Sequence, residues 1–307
     1  MTFKEKIDSG QFIVCGELGP PQHCDGDVIR KKSKHFKGIV DAVNITDNQT
    51  AIVRLSSIAS AVILLEEQVE PIIQMTCRDR NRIAIQSDLL GAAALGIENV
   101  LCLTGDYQKF GNQPEAKGVY DLDSIQLIAT LSAMNEGFLL SGDPLKTRPN
   151  FCIGAAANPF AEPFEMRIIR VFKKIKAGAH FIQTQPVFDL PLFERWLTRL
   201  NDLELADKTA ILAGIMPVKS VNALLHMQHE VPGVKISMEV IDRLKNAADP
   251  KEEGLKITVE LIQEIKKLKG IRGIHLMPVM WESITPALIE EAGLKLNDNK
   301  RTKVIPS

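Results

Sequence analysis

The stretch GAAALGIENVLCLTGD, residues 91–106, holds a helix end, a strand and a polar strand exit in immediate succession. Residues 81–96 place apolar side chains at helical spacing, and Gly96 stands where a helix C-cap belongs. Residues 99–105 (NVLCLTG) then run apolar and β-rich, and the chain leaves them through Thr104-Gly105-Asp106. A strand that is apolar on both faces is covered on both faces, as in a parallel sheet.

The same unit recurs on either side. Strand-like runs lie at 12–18, 42–46, 69–77 and 99–105, then at 151–158, 181–188, 210–218 and 273–280. Helical periodicity fills the gaps at 26–36, 51–67, 81–96, 124–140, 163–177, 189–200, 219–229 and 284–293. Strand alternating with helix predicts an α/β fold with parallel strands, and eight such units close a (β/α)8 TIM barrel. A chain of 307 residues suits one such barrel domain over 1–307. Two regions exceed the repeat: a long loop at 106–123, and about two extra helices at 233–270.

Composition narrows the function. With 37 basic and 38 acidic residues, nothing global calls for nucleic acid or an anionic membrane. Residues 1–11 are mixed and charged, without a signal-peptide core, and no run of 18 apolar residues predicts a membrane span. The cysteines are Cys15, Cys24, Cys77, Cys102 and Cys152, an odd count without a C-x-x-C pair, and four lie in apolar runs. That pattern predicts reduced thiols and a cytoplasmic location. The six histidines show no ligand spacing, so no metal site is expected. The basic runs at 30–37 and 295–303 read as solvated faces, the alternative being attraction of an acidic substrate tail.

A barrel carries its chemistry at the C-terminal ends of its strands. Those ends present Glu17, Thr46-Asp47-Asn48, Thr76 with Arg78-Asp79, and Thr104-Gly105-Asp106. Asn158-Pro159, Gln183 and Gln185 with Phe188-Asp189, Met216-Pro217, and His275 with Met277 and Met280 follow. No nucleophile is paired with a base, and neither Gly-x-Gly-x-x-Gly nor a Walker loop occurs. Neutral hydrogen-bonding groups with a few charges suit a large polar heterocycle such as a flavin or a pterin. The structural alternatives are plain: Glu17 as an ion-paired carboxylate, Asp106 as a turn cap and Gln185 as an internally satisfied amide.

Several ordered motifs resemble those of the methylenetetrahydrofolate reductases. They are Glu17-Leu-Gly-Pro-Pro, Asn44-Ile-Thr46, Thr76-Cys77, LGIENVLCLTGD (95–106), AAANP (155–159), KAGAHFIQTQPVFD (176–189), AGIMPV (213–218) and LMPVMWESI (276–284). The resemblance covers nearly the whole chain and implies reduction of methylenetetrahydrofolate to methyltetrahydrofolate in one-carbon metabolism, on a flavin. It implies FAD, with FMN as the alternative. It makes Glu17 the general acid and Asp106 the carboxylate near flavin and pterin. Thr46, Asn48, Gln74, Thr76, Thr104, Gly105, Tyr120, Ala157, Asn158 and Lys174 match cofactor-binding positions, and Gln185 and Phe188 match substrate-binding ones. This chain departs from the pattern at Asp47 and Asn158, where aromatics are common, and at Gln74 and Glu162, where some members carry histidine.

NADH or NADPH is the implied electron donor, and some members are fed by an iron–sulfur partner subunit. Any such cluster would come from the partner, because this chain has no cysteine cluster of its own. The resemblance also leaves room for an oligomer. Two other readings keep the barrel: a folate-binding methyltransferase-type barrel without flavin, and a non-catalytic subunit of a redox complex. Bound yellow flavin separates the first reading from both.

Overall fold

The computed structural model describes residues 1–230 and 236–294. The strands are β1 (Ile13–Leu18), β2 (Ala42–Ile45), β3 (Pro71–Thr76), β4 (Asn99–Leu103), β5 (Cys152–Ala157), β6 (Phe181–Pro186), β7 (Ala210–Ile215) and β8 (Ile271–Leu276). All pair in parallel and in sequence order, and β8 closes on β1 with Cys15 opposite His275. The helices are α1 (Phe3–Ser9), α2 (Asp27–Ser33), α3 (Ser57–Glu66), α4 (Arg82–Ala94), α5 (Ser124–Glu136), α6 (Phe164–Lys176), α7 (Leu190–Asp202), α8 (Val221–Glu230), α9 (Met238–Asn246), α10 (Pro250–Ile265) and α11 (Thr285–Glu291). The expected (β/α)8 TIM barrel is present.

Strand alternation divides the core in two. Outward residues such as Val43, Ile73, Val100 and Ile182 pack beneath the helices. Inward residues Ile13, Cys15, Ile72, Leu101, Cys152, Phe181 and Leu212 fill the lower lumen. Gly154 makes room there, because a Cβ on it would stand 2.1 Å from the Phe181 ring. Four cysteines are buried, Cys24 is exposed, and all five are free thiols.

The lumen is stoppered from below by α1, which the charged N-terminal sequence did not suggest. Thr2 and Glu5 form a capping box and Gly10, at φ 80°, ends the helix. Phe3 and Ile7 join the lumen cluster, and Phe3 meets Phe181 edge-to-face with centroids 5.2 Å apart. Two apolar residues one turn apart are too few for a periodic signal, yet they suffice as a plug. Lys6, also on α1, pairs with buried Asp41, whose second oxygen accepts from the Val14 N–H at 2.8 Å.

Element bounds shift where backbone geometry overrides periodicity. The helix expected over 51–67 begins only at Ser57, because Asn48, Thr50 and Ala51 take left-handed φ of 46°, 57° and 56°. Strand eight ends at Leu276 rather than 280, as Trp281 N–H turns back onto the Pro278 carbonyl. The extra helices expected over 233–270 are α9 and α10, which cover Val218 and Leu224 in a satellite cluster. In the basic run at 30–37, Arg30 pairs with Glu66 and Glu67, and Lys32 with Glu282. The basic run at 295–303 lies outside the described residues. Among the described residues no helix is long and apolar enough to cross a membrane.

Candidate active site

The upper lumen is polar where the lower lumen is greasy. Glu17, at the C-terminal end of β1, turns its carboxyl inward with its side chain 11% exposed. Gln74 Nε2 on β3 donates to Glu17 Oε2 at 3.2 Å. His275 Nε2 on β8 approaches the same oxygen to 3.5 Å without completing a hydrogen bond. Burial pushes the Glu17 carboxyl up to about 7, against the opposing pull of Gln74. Burial also pushes His275 down to about 3, so the imidazole is neutral and the contact is not an ion pair. The arrangement is a carboxylic acid able to hold its proton near neutrality, with Oε2 occupied and Oε1 uncommitted.

Around this acid lie buried polar atoms without a protein partner among the described residues, Asn44 Oδ1 and Thr46 Oγ1; the buried Gln183 amide faces the Cys15 thiol deeper in the lumen. Unpartnered atoms are uncommon in protein interiors, and in an open barrel mouth they are free to bond a ligand or water. The sequence singled out Gln185 as the buried amide of β6. The structure instead buries Gln183 at 2% exposure and leaves Gln185 exposed at the mouth.

A second group joins the ends of β2, β3 and β4. Asp106 Oδ2 accepts from the Thr50 N–H at 2.9 Å, and the Asp106 carbonyl accepts from Tyr120 Oη at 3.1 Å and Arg78 Nη1 at 3.3 Å. Arg78 Nη2 also donates to the Asn48 carbonyl at 3.2 Å. Thr76 donates Oγ1–H and N–H to Asp47, which Arg80 engages at 2.7 Å. The departure at Asp47 is thus compensated by a buried ion pair with Arg80. Thr104 Oγ1 accepts from the Ser124 N–H at 3.2 Å, tying this exit to the start of α5.

The third group is a cleft of about 180 Å³ between the ends of β5 and β6 and one face of α6. Ala157, Asn158, Lys174 and Gln185 line it, as do Arg167 and Arg170. The last two escaped sequence reading because they look like an ordinary polar face; their spacing from Lys174, at 167, 170 and 174, is the signal that could have found them. Lys174 donates to the Ala156 carbonyl and is pushed down to about 8 by burial and then by Arg170. Phe188, just after β6, is half-buried and packs against the Val218–Leu224 cluster beneath α8–α10.

A sequence profile of the family described as methylenetetrahydrofolate reductase matches residues 2–293. The chain belongs to the methylenetetrahydrofolate reductase family. Methylenetetrahydrofolate reductase 1 of Schizosaccharomyces pombe is 27% identical over 247 residues, 78% of this chain and 38% of that protein. Methylenetetrahydrofolate reductase 2 of the same yeast is 25% identical over 329 residues, 99% of this chain and 48% of that protein. The chain therefore spans less than half the length of these curated relatives. A Clostridium thermocellum protein described as binding two copies of 5-methyl-5,6,7,8-tetrahydrofolic acid superposes with TM-score 0.66 at 16% identity, over 94% of this chain and 97% of that one. An oxaloacetate acetylhydrolase superposes with TM-score 0.53 at 11% identity, over 93% and 81%. At these identities the structural likeness speaks to the barrel, while the sequence profile carries the methylenetetrahydrofolate reductase assignment.

Proposed function

We propose that this chain reduces 5,10-methylenetetrahydrofolate to 5-methyltetrahydrofolate on a flavin held at the mouth of its barrel. The observation that carries the reading is Glu17, a buried carboxyl at a strand end whose pKa is pushed up to about 7. The substrate holds its methylene as a bridge between two nitrogens. Glu17 gives its proton to the departing nitrogen, the C–N bond breaks with its electron pair going to that nitrogen, and an iminium carbon remains. Gln74 keeps Oε2 in place throughout, so the acid presents a fixed geometry. Asp106 is exposed at the mouth and has acceptor sites left beyond its bond from Thr50, enough to take hydrogen bonds from the amino groups of a pterin.

The residues at the mouth fit a flavin nucleotide. The α6 cleft brings Arg167, Arg170 and Lys174 onto one face, as a phosphate ester needs. Thr46 Oγ1 is buried and unpartnered, and Gly105, at φ 96°, passes its backbone against Thr76 and Arg78 where no Cβ would fit. Bound there, a flavin supplies the hydride that makes the iminium carbon a methyl group. Thr46, Gly105, Asn158 and Lys174 are the residues proposed to hold it, with Asn48, Gln74, Thr76, Thr104, Tyr120 and Ala157 around them. FAD is the flavin we propose, with FMN as the alternative, since three cations suit the phosphate charge of either. The buried free thiols support work in the reducing cytoplasm.

We further propose NADH or NADPH as the donor, bound in turn at the folate site. Purified protein should be yellow. Mixed without oxygen with NADH or NADPH, its band near 450 nm should bleach, and methylenetetrahydrofolate should restore it. Bleaching by dithionite or a reduced iron–sulfur protein, but by neither nucleotide, rejects direct nicotinamide reduction. Failure of the folate to restore the colour rejects the function itself.

The acid also sets a pH dependence. Glu17 donates only while protonated, so the folate step should be fastest below about 7 and fall roughly tenfold per pH unit above it. Stopped-flow reoxidation of the reduced flavin across pH 5.5–9 measures this, and a flat profile removes Glu17 as the acid.

A further inference from the structure

We infer that Arg78 is a positioning residue that fixes the Asp106 carboxylate by clamping the main chains of Asp106 and Asn48 together. The inference rests on the reading of Asp106 as the carboxylate that faces the flavin and the folate.

Arg78 follows β3 and is 2% exposed, although it carries a full charge. Asp79 neutralises it through two bonds of 2.7 Å, from Nε and from Nη2. That pairing leaves the far edge of the guanidinium free for main-chain work. Nη1 reaches the Asp106 carbonyl and Nη2 the Asn48 carbonyl, at 3.3 and 3.2 Å. The Arg78 carbonyl accepts from the Val119 N–H at 2.8 Å, so the far end of the long loop after β4 is pinned to the same residue. The side chain thus ties the exits of β2 and β4 to its own place after β3. Gly105 is what lets the β4 exit lie so close, since a Cβ there would stand 2.8 Å from Arg78 Cβ.

The segment being clamped is held only in part by itself, through the Arg54 N–H donating to Asn48 Oδ1 at 3.0 Å. Asn48, Thr50 and Ala51 all sit at positive φ with no glycine among them, and a β-branched threonine there is a true outlier. Such conformations persist only where surroundings impose them, and they gather at ligand sites. Here the impositions are the Arg78 bond to Asn48, the Asp106 carboxylate on the Thr50 N–H, and Asn112 Oδ1 on the Val53 N–H at 3.1 Å. Asp106 thus has its main chain held by Arg78 and its side chain held by a turn that Arg78 also holds. A lysine, with a single compact ammonium, cannot span these acceptors, although it keeps the charge.

The test is a double-mutant cycle of Arg78→Lys with Asp106→Asn on flavin-loaded protein. Two quantities are read: the flavin midpoint potential by anaerobic redox titration, and the rate at which methylenetetrahydrofolate reoxidises the reduced flavin. Asp106→Asn should raise the potential and slow the folate step. Arg78→Lys should shift the potential the same way by less, and slow the folate step about 10- to 100-fold, as misplacement of a positioned group does. On the Asp106→Asn background, Arg78→Lys should change either quantity by less than about twofold. Equal effects on both backgrounds mean a general structural role and overturn the inference. An Asp106→Asn variant indistinguishable from wild type overturns the reading of Asp106 and the inference with it. Should Arg78→Lys not fold, Asp79→Asn, which loosens the same fork, must show the same non-additivity.

Discussion

Glu17→Gln should lower methylenetetrahydrofolate reduction by about 10²–10⁴-fold, the range general acid catalysis contributes, while flavin binding and reduction stay within a few-fold. The amide keeps the size of the side chain and can still accept from Gln74, which is 3.2 Å away, but it has no acidic proton to give. Single-turnover measurements separate the half-reactions: reduction by the donor proceeds, and reoxidation by the folate stalls. Folate turnover within a few-fold of wild type would take Glu17 out of the mechanism. Stability supplies an independent check. The folded pKa of about 7 lies above the ordinary value of 4.5, so between them the native state binds the extra proton. Native stability therefore declines as pH rises from 4.5 to 7, and the cost of a buried carboxylate is fully present above 7. Glu17→Gln should be more stable than wild type at pH 8 and gain nothing at pH 4, a comparison that denaturant titration makes directly.

Asp41→Asn should destabilise the barrel by about 3–5 kcal/mol, because it leaves Lys6 charged and buried with its anion gone. For a chain of this size that lowers Tm by on the order of 10 °C. Two controls locate the effect in the ion pair. Lys6→Met with Asp41→Asn should be more stable than Asp41→Asn alone, since the uncompensated charge disappears. Activity per folded molecule should hold, because the pair lies at the α1 end of the lumen and the site at the opposite mouth. Asp41→Asn melting within a degree or two of wild type would show that α1 plugs the barrel by Phe3 and Ile7 alone.

Much of the site was legible because strand ends are legible. Glu17, Thr46, Thr76 and Asp106 follow from where each apolar run stops and from the pleat that sends alternate residues inward, while Gln74 came only from the family resemblance. What the sequence could not rank was burial. Gln183 and Gln185 are two residues apart on one strand, yet one is buried and the other open at the mouth, because depth along the lumen depends on the register of β6 against β7. The contact that Phe188 makes with the cluster beneath α8–α10 was equally out of reach, because those helices come from a later part of the chain.

The sequence by itself determined the alternation of strand and helix, the barrel that eight such units close, and the residues that stand at its mouth. Those are local properties, written in periodicity and in the residues that end each run. Tertiary structure alone decided what those residues can do. Only the closed lumen dries Glu17 enough to keep its proton near neutrality and leaves His275 uncharged beside it. Only the fold brings Arg78 to Asn48 and Asp106, and only helix docking turns Arg167, Arg170 and Lys174 toward one cleft. Desolvation and hydrogen bonding between distant residues depend on positions in space, which the spacing of residues along a chain does not specify.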